Sequence, residues 1–355
     1  MSPPHTQVFE DGITVTPISS HTYTANVQPD WSIGAVPHGG YTMSILYRLA
    51  TTHFKHTHPT RHNCQPLPIS MQMTFLRRTA AGPATLTVED FKLGLRTSTI
   101  HVTLSQEDDS SSSSSAKKQN KKLTAKVVGY ITVSDPISDV GHSFPSAWEL
   151  NPPAPSRGPP SVVITPDNVS LSPDSTTQSK WRQTGPGPWA KFRRVEHQCI
   201  TFSPTSEFKK PGVIDQWARL RTVTSGDSSA AGNGKWTNET LPFLSDWFPA
   251  ALEELGTQAV SSLSLSSPPS KTPKIPPFWY PTVTLNIDFK KSLPAQGSDW
   301  LYSRVVMKSV RNGRIDIEVI IMDEQGDIVA LCSHVGLVVP VERNTSGRKY
   351  EKSKM

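Results

Sequence analysis

Polar and apolar positions alternate most cleanly near the end of the chain. Across Thr282–Phe289, apolar Val283, Leu285, Ile287 and Phe289 alternate with Thr282, Thr284, Asn286 and Asp288. A period of two marks a strand with one buried face. Residues 300–310, 315–323 and 328–339 predict three more strands. The first two of these are separated by Arg311-Asn312-Gly313-Arg314, whose Asn-Gly is a strong hairpin signal. Upstream, residues 195–202 and 213–221 read as strands. Between them and the meander, Leu241, Leu244, Phe248, Leu252 and Leu255 recur at helical spacing, which predicts a helix over 241–256.

The same order occurs in the first part of the chain. Strand patterns at 13–17 and 23–27 precede an apolar run at 41–54, where Met43, Leu46, Tyr47, Ala50 and Phe54 share one face and Ile45 and Leu49 another. A helix apolar on more than one side is a buried one. Strand patterns follow at 69–77, 84–92, 97–105 and 123–133. One helix with an antiparallel sheet around it, present twice, predicts an α+β chain of the double hot-dog kind: two antiparallel sheets, each wrapped around a central helix.

Composition refines the boundaries. Of the 355 residues 35% are hydrophobic and 19% charged, low values that predict unpacked segments. Proline, at 32 residues, concentrates between 135 and 190, where its density rules out a helix or an inner strand. The expected organisation is therefore an N-terminal hot-dog at 1–134, a Pro-rich connector at 135–190, a C-terminal hot-dog at 191–343 and a tail at 344–355. Ser/Lys-rich and Ser/Gly/Pro-rich inserts at 110–122, 225–234 and 261–277 read as loops. The net charge of +6 is modest and spread out, so no nucleic-acid partner is expected. No window holds the roughly 20 apolar residues of a membrane helix, and no membrane partner is expected. Cys64, Cys199 and Cys332 are odd in number and far apart, which argues against a disulfide framework or a Cys-based zinc site. The chain ends in Ser353-Lys354-Met355, close to the S-K-L peroxisomal address. The expected setting is the peroxisome, with its import receptor as a partner; without that signal it is the cytoplasm.

Four places carry candidate chemistry. Pro37-His38-Gly39-Gly40 opens the first helix, where free backbone N–H groups could hold an oxyanion and glycine permits close approach. Tight packing at the helix start explains the glycines as well. In Ser245-Asp246-Trp247-Phe248-Pro249, proline belongs in the first turn of a helix, which places Asp246 near a helix start whose dipole favours a carboxylate. Such a carboxylate can orient or deprotonate water; as an N-cap it would be structural. Thr282 opens the clearest strand, and its hydroxyl could hold the same water or be an ordinary β-branched strand residue. His334 shares a strand face with the small Cys332 and Gly336, leaving room for a ligand or for a satisfied core histidine. His53, His56, His58 and His62 cluster after the first helix without an adjacent carboxylate, which reads as a solvated loop rather than a metal site. The chain contains no H-E-x-x-H, P-loop, G-x-G-x-x-G after a strand, or G-x-S-x-G elbow.

Together these segments resemble the acyl-CoA thioesterase II family, and more closely its thioesterase-like double hot-dog branch common in fungi. The carriers are the stretch from Asp30 through Pro37-His38-Gly39-Gly40 to Tyr41, then Leu244-Ser245-Asp246-Trp247-Phe248-Pro249, Pro281-Thr282-Val283-Thr284, and Ala330-Leu331-Cys332-Ser333-His334. The resemblance implies hydrolysis of an acyl-CoA or acyl-carrier thioester without metal or other cofactor. It implies catalytic roles for Asp246, Thr282 and His334, and substrate or oxyanion binding by His38, Gly39 and Gly40. Position 334 is a glutamine in the family proper, and histidine there departs from the pattern. A tailoring enzyme of secondary metabolism and a non-catalytic acyl-CoA-binding protein are the other readings. Hot-dog proteins associate readily, so a homo-oligomer is compatible with the resemblance.

Overall fold

A computed structural model describes residues 8–107, 122–136, 140–164, 169–172, 180–209, 212–221, 234–248 and 276–345. Alternation along the strands translates directly into burial. In the strand Thr97–Glu107, Ser98, Ile100, Val102, Leu104 and Gln106 are buried, and the residues between them are partly exposed.

Thirteen strands form one continuous sheet. In the first half they are β1 (Val15–Pro17), β2 (Thr22–Val27), β3 (Leu67–Phe75), β4 (Gly82–Leu93), β5 (Thr97–Glu107) and β6 (Leu123–Ser134). In the second they are β7 (Trp181–Thr184), β8 (Cys199–Pro204), β9 (Val213–Leu220), β10 (Thr282–Phe289), β11 (Leu301–Arg311), β12 (Arg314–Met322) and β13 (Ile328–Leu337). The order across the sheet is β1-β2-β4-β5-β6-β3-β10-β13-β12-β11-β9-β8-β7. Read outward from the β3–β10 seam, both halves repeat one topology, so the duplicated order in the sequence is a structural duplication. At the seam Gln72 pairs with Asn286, while Met71 and Met73 face Ile287 and Leu285. All four of those apolar residues are buried. The two expected sheets are thus halves of one. In the β11–β12 hairpin, Asn312 and Gly313 have φ of 52° and 73°, the left-handed pair a tight two-residue turn requires.

The central helix of the first half, α1 (Gly39–Thr57), is longer than its apolar run and buries thirteen residues, from Gly40 to Phe54. It packs on β1, β2, β3 and β5 and against α2 (Leu241–Ser245). Here the structure corrects the sequence reading. The helix expected over 241–256 ends at Ser245, and Asp246 caps its C-terminus. Phe248 precedes Pro249, a position that disfavours helical backbone. Residues 249–275 lie outside the described residues, as do the Ser/Lys insert and the Ser353-Lys354-Met355 tail.

Three further expectations shift. Residues 195–202 begin as a helical turn, Arg194–His197, and only then become β8. Part of the Pro-rich connector is packed: Trp181 of β7 is buried with Ile200, Phe202, Trp217, Trp300 and Tyr302, and Leu150, Ala154, Val162 and Leu171 pack on this second cluster. Connector residues therefore cover the outer face of the second half. Among the described connector residues, β7 lies at the edge of the thirteen-stranded sheet, and residues 162–164 pair with 169–171 in a separate two-stranded sheet. Finally, the tail expected from 344 starts as a helical turn, Glu342–Thr345. Asn344 is buried there, accepts from the Ala35 amide at 2.9 Å and donates to the Ile33 carbonyl at 2.9 Å.

Candidate active site

The Pro37-His38-Gly39-Gly40 segment and Asp246, over two hundred positions apart, meet where the N-terminus of α1 abuts the C-terminus of α2. The Gly40 amide donates to Asp246 Oδ2 at 2.9 Å. The N-terminal end of α1 thus faces the Asp246 carboxylate, and its dipole favours the charged form. The glycines make the approach possible. A Cβ on Gly39 would lie 2.6 Å from Asp246 Oδ2, and one on Gly40 would lie 2.6 Å and 2.8 Å from the Pro242 and Phe243 carbonyl oxygens. Both the packing and the chemical reasons for the Gly-Gly pair thus apply together. The expected oxyanion role of Gly40 is corrected, because its amide is committed to the carboxylate.

The other oxygen of Asp246 faces the second half. Thr282 Oγ1 donates to Oδ1 at 2.9 Å, and His334 Nδ1 lies 3.6 Å from the same oxygen. β10 and β13 are neighbours, which is how Thr282 and His334 come to flank one carboxylate. His38 completes the set. Its Nε2 is 3.1 Å from the Asp246 main-chain oxygen and 3.7 Å from Oδ2. A carbonyl can only accept, so Nε2 carries the proton. Its other nitrogen, Nδ1, has no hydrogen-bond partner among the described residues.

A cavity of about 520 Å³ opens on Asp246, Thr282, His38 and Gly39. Its mouth carries the exposed Arg77 and Arg343 together with Arg78, and Asp246 is the single acid among the described lining residues. Asp246 is 5% exposed; Arg77 donates to the Ala125 carbonyl at 3.0 Å, and Arg78 to the Arg343 and Asn344 carbonyls at 2.6 Å and 3.2 Å. His334 departs from expectation. It is buried beside Asp246 with Phe248 packed edge-on at 5.5 Å, and it does not line the cavity. A second cavity of about 190 Å³ shares Ile33 and His38 with the first and reaches Thr184, Thr201, Ser203 and Gln216.

Burial holds both His38 and His334 below the ordinary imidazole value, against the raising pull of Asp246. Both are neutral near pH 7. As pH falls below about 6.5, the unfolded chain takes up protons that these two folded imidazoles refuse. Stability from them is complete above that pH and is lost on acidification. The thermal midpoint should therefore rise between about pH 5 and 6.5, and the rise should shrink in His334→Gln, as calorimetry can measure. An identical slope in the variant would mean that burial does not hold the His334 proton off.

Sequence reasoning missed one cluster of titratable groups. His53 is not in a solvated loop but fully buried within α1, and a carboxylate does join the histidines: Asp90 of β4 binds His21, His53 and His58. Asp90 lies over thirty positions from His53, so no local pattern could have paired them.

A duplicated helix-and-sheet unit with a carboxylate held at the junction of the two halves defines a double hot-dog protein of the thioester-processing kind. Family models agree in both halves. The acyl-CoA thioesterase N-terminal domain matches residues 27–128, and the acyl-CoA thioesterase C-terminal domain matches 166–338. The thioesterase-like protein TwmA of Talaromyces wortmannii is 32% identical over 98% of this chain and 96% of its own. The chain belongs to this acyl-CoA thioesterase family and is a thioester hydrolase. Two solved structures share the fold. A putative thioesterase II from Thermobifida fusca has a TM-score of 0.58 at 18% identity, covering 95% of this chain and 99% of that one. The acyl-CoA thioesterase II TesB2 of Mycobacterium marinum has a TM-score of 0.55 at 14% identity, covering 94% and 98%.

Proposed function

We propose that the hydrolase acts on acyl-CoA thioesters, with Asp246 as the base that activates water. The observation that carries this reading is the buried Asp246 carboxylate at the floor of a cavity whose mouth bears Arg77, Arg78 and Arg343. Coenzyme A carries phosphates that such a mouth attracts, and its thioester would reach inward to the carboxylate.

In this scheme Gly40 N–H and Thr282 Oγ1–H fix both oxygens of Asp246, and His38 fixes its main chain. Water between Asp246 and the thioester carbonyl gives a proton to the carboxylate as its oxygen attacks carbon. The tetrahedral intermediate then expels the thiolate, which takes a proton, leaving acid and thiol. Neutral His334 places no positive charge beside the carboxylate, which would lower its basicity.

The second cavity is lined by Ile33, Trp189, Val195 and Trp247 beside Thr184, Thr201 and Ser203, whose hydroxyls bond one another or main-chain carbonyls, and so it suits an apolar acyl chain. Thiol release from acyl-CoAs of short, medium and long chain tests the reading. Release from CoA esters supports it. Binding without release would make the chain an acyl-CoA carrier.

A further inference from the structure

Four side chains converge at the end of α1 remote from Asp246. Asp90 projects from β4, His53 lies in the last turns of α1, His58 follows that helix directly, and His21 lies between β1 and β2. One carboxylate meets three imidazoles. His53 Nε2 is 2.9 Å from Oδ1, and His58 Nε2 and His21 Nε2 are 2.8 Å and 3.1 Å from Oδ2. The donor atoms of His21, His53 and Asp90 all lie within 4.8 Å of one another. His53 lies fourteen residues along α1 from Gly39, so the helix separates this cluster from the cavity by about 21 Å.

The outer ring nitrogens are held as well. His21 Nδ1 meets Ser20 Oγ at 2.9 Å, and His53 Nδ1 meets Tyr23 Oη at 2.9 Å. Histidines that ligate metals are held in this way through their second nitrogen. The side chain of His53 is fully buried, Asp90 and His58 are 18% and 17% exposed, and His21 is 43% exposed. An ion would enter past His21.

We infer that His21, His53 and Asp90, with His58 holding the Asp90 carboxylate, form a binding site for a first-row divalent cation that clamps the β1–β2 turn and the end of α1 to β4. Two imidazoles and one carboxylate, with water in the fourth position, suit zinc in tetrahedral coordination. A ligating imidazole offers Nε2 and keeps its one proton on Nδ1; any imidazolium must first lose a proton to solvent, so affinity falls at acid pH where the histidines are protonated. No metal was expected from the sequence, since Asp90 is distant from the histidines along the chain. The site is independent of the hydrolytic reading.

The test uses the full chain, stripped with a chelator and dialysed. Zinc is titrated by calorimetry and cobalt by its visible absorption. One equivalent should bind, and zinc should raise the thermal midpoint. His58→Gln and Asp90→Asn should each weaken binding at least about tenfold while still melting cooperatively. His142→Gln, at an exposed connector position, should bind as the unsubstituted chain does. Should Asp90→Asn fail to fold, His58→Gln decides alone. Absence of binding, or unchanged binding in the cluster variants, would overturn the site and leave a plain hydrogen-bonded cluster.

Discussion

Asp246→Asn should lose thioester hydrolysis by about 10²- to 10⁴-fold, the usual contribution of a positioned general base, and still fold. Asparagine preserves the shape of the side chain. Its carbonyl can accept from the Gly40 amide, which is buried and cannot go unpaired cheaply. The amide nitrogen then faces Thr282, whose hydroxyl rotates to accept instead of donate. Every neighbour keeps a partner, so the thermal midpoint should move little. What is lost is the ability to take a proton from water. The proposed substrate contacts do not involve the changed atom, so the loss should appear in kcat with KM nearly unchanged. Thr282→Val should do less, because it removes one hydrogen bond to a charged group, worth about 1.5–3 kcal/mol. Thiol release measured at saturating acyl-CoA checks both. Full activity in Asp246→Asn would sink the assignment of the base.

Where hydrophobic periodicity was strong, the sequence located structure closely. Thr282–Phe289 matches to the residue, and the Asn312-Gly313 turn falls where its dipeptide requires. Such features depend on local chemistry, so local reading finds them. Features set by distant contacts were not legible. α2 ends at Ser245, and Leu252 and Leu255, which carried the rest of the helical spacing, lie outside the described residues. β7 has few residues and sits among prolines, and only pairing with β8 makes it a strand. Within the site, the meeting of Asp246 with Thr282 could be expected only from resemblance, because the two lie on different elements. The commitment of the Gly40 amide to Asp246 could not be read at all, since it depends on how two helix ends abut. His334 shows the same limit: its strand and face were clear, but its seclusion from the cavity is set by Phe248.

Asp215→Ala should cost about 3–5 kcal/mol of stability, the range seen when one partner of a buried ion pair is removed. Asp215 on β9 and Arg304 on β11 are 5% and 1% exposed. Arg304 Nε and Nη2 lie 2.6 Å and 3.0 Å from the two carboxylate oxygens, and Tyr302 Oη donates to Oδ1 at 2.5 Å. Without the carboxylate, a guanidinium and a phenol stay buried without their acceptor. Against a total stability of about 5–15 kcal/mol, that is a large fraction. Arg304 also donates to the Pro152 carbonyl, so the pair fastens the connector to the sheet beside Trp217 and Tyr302. The loss should therefore be seen twice, as a lower denaturant midpoint and as earlier protease cleavage near residue 152. Replacing both charges, Asp215→Leu with Arg304→Met, should restore much of the midpoint, because apolar side chains of similar size satisfy the same space. It should not restore protection at residue 152, which has then lost its donor. If the double variant also protects the connector, apolar packing of Leu150 and Ala154 holds that segment and the arginine does not.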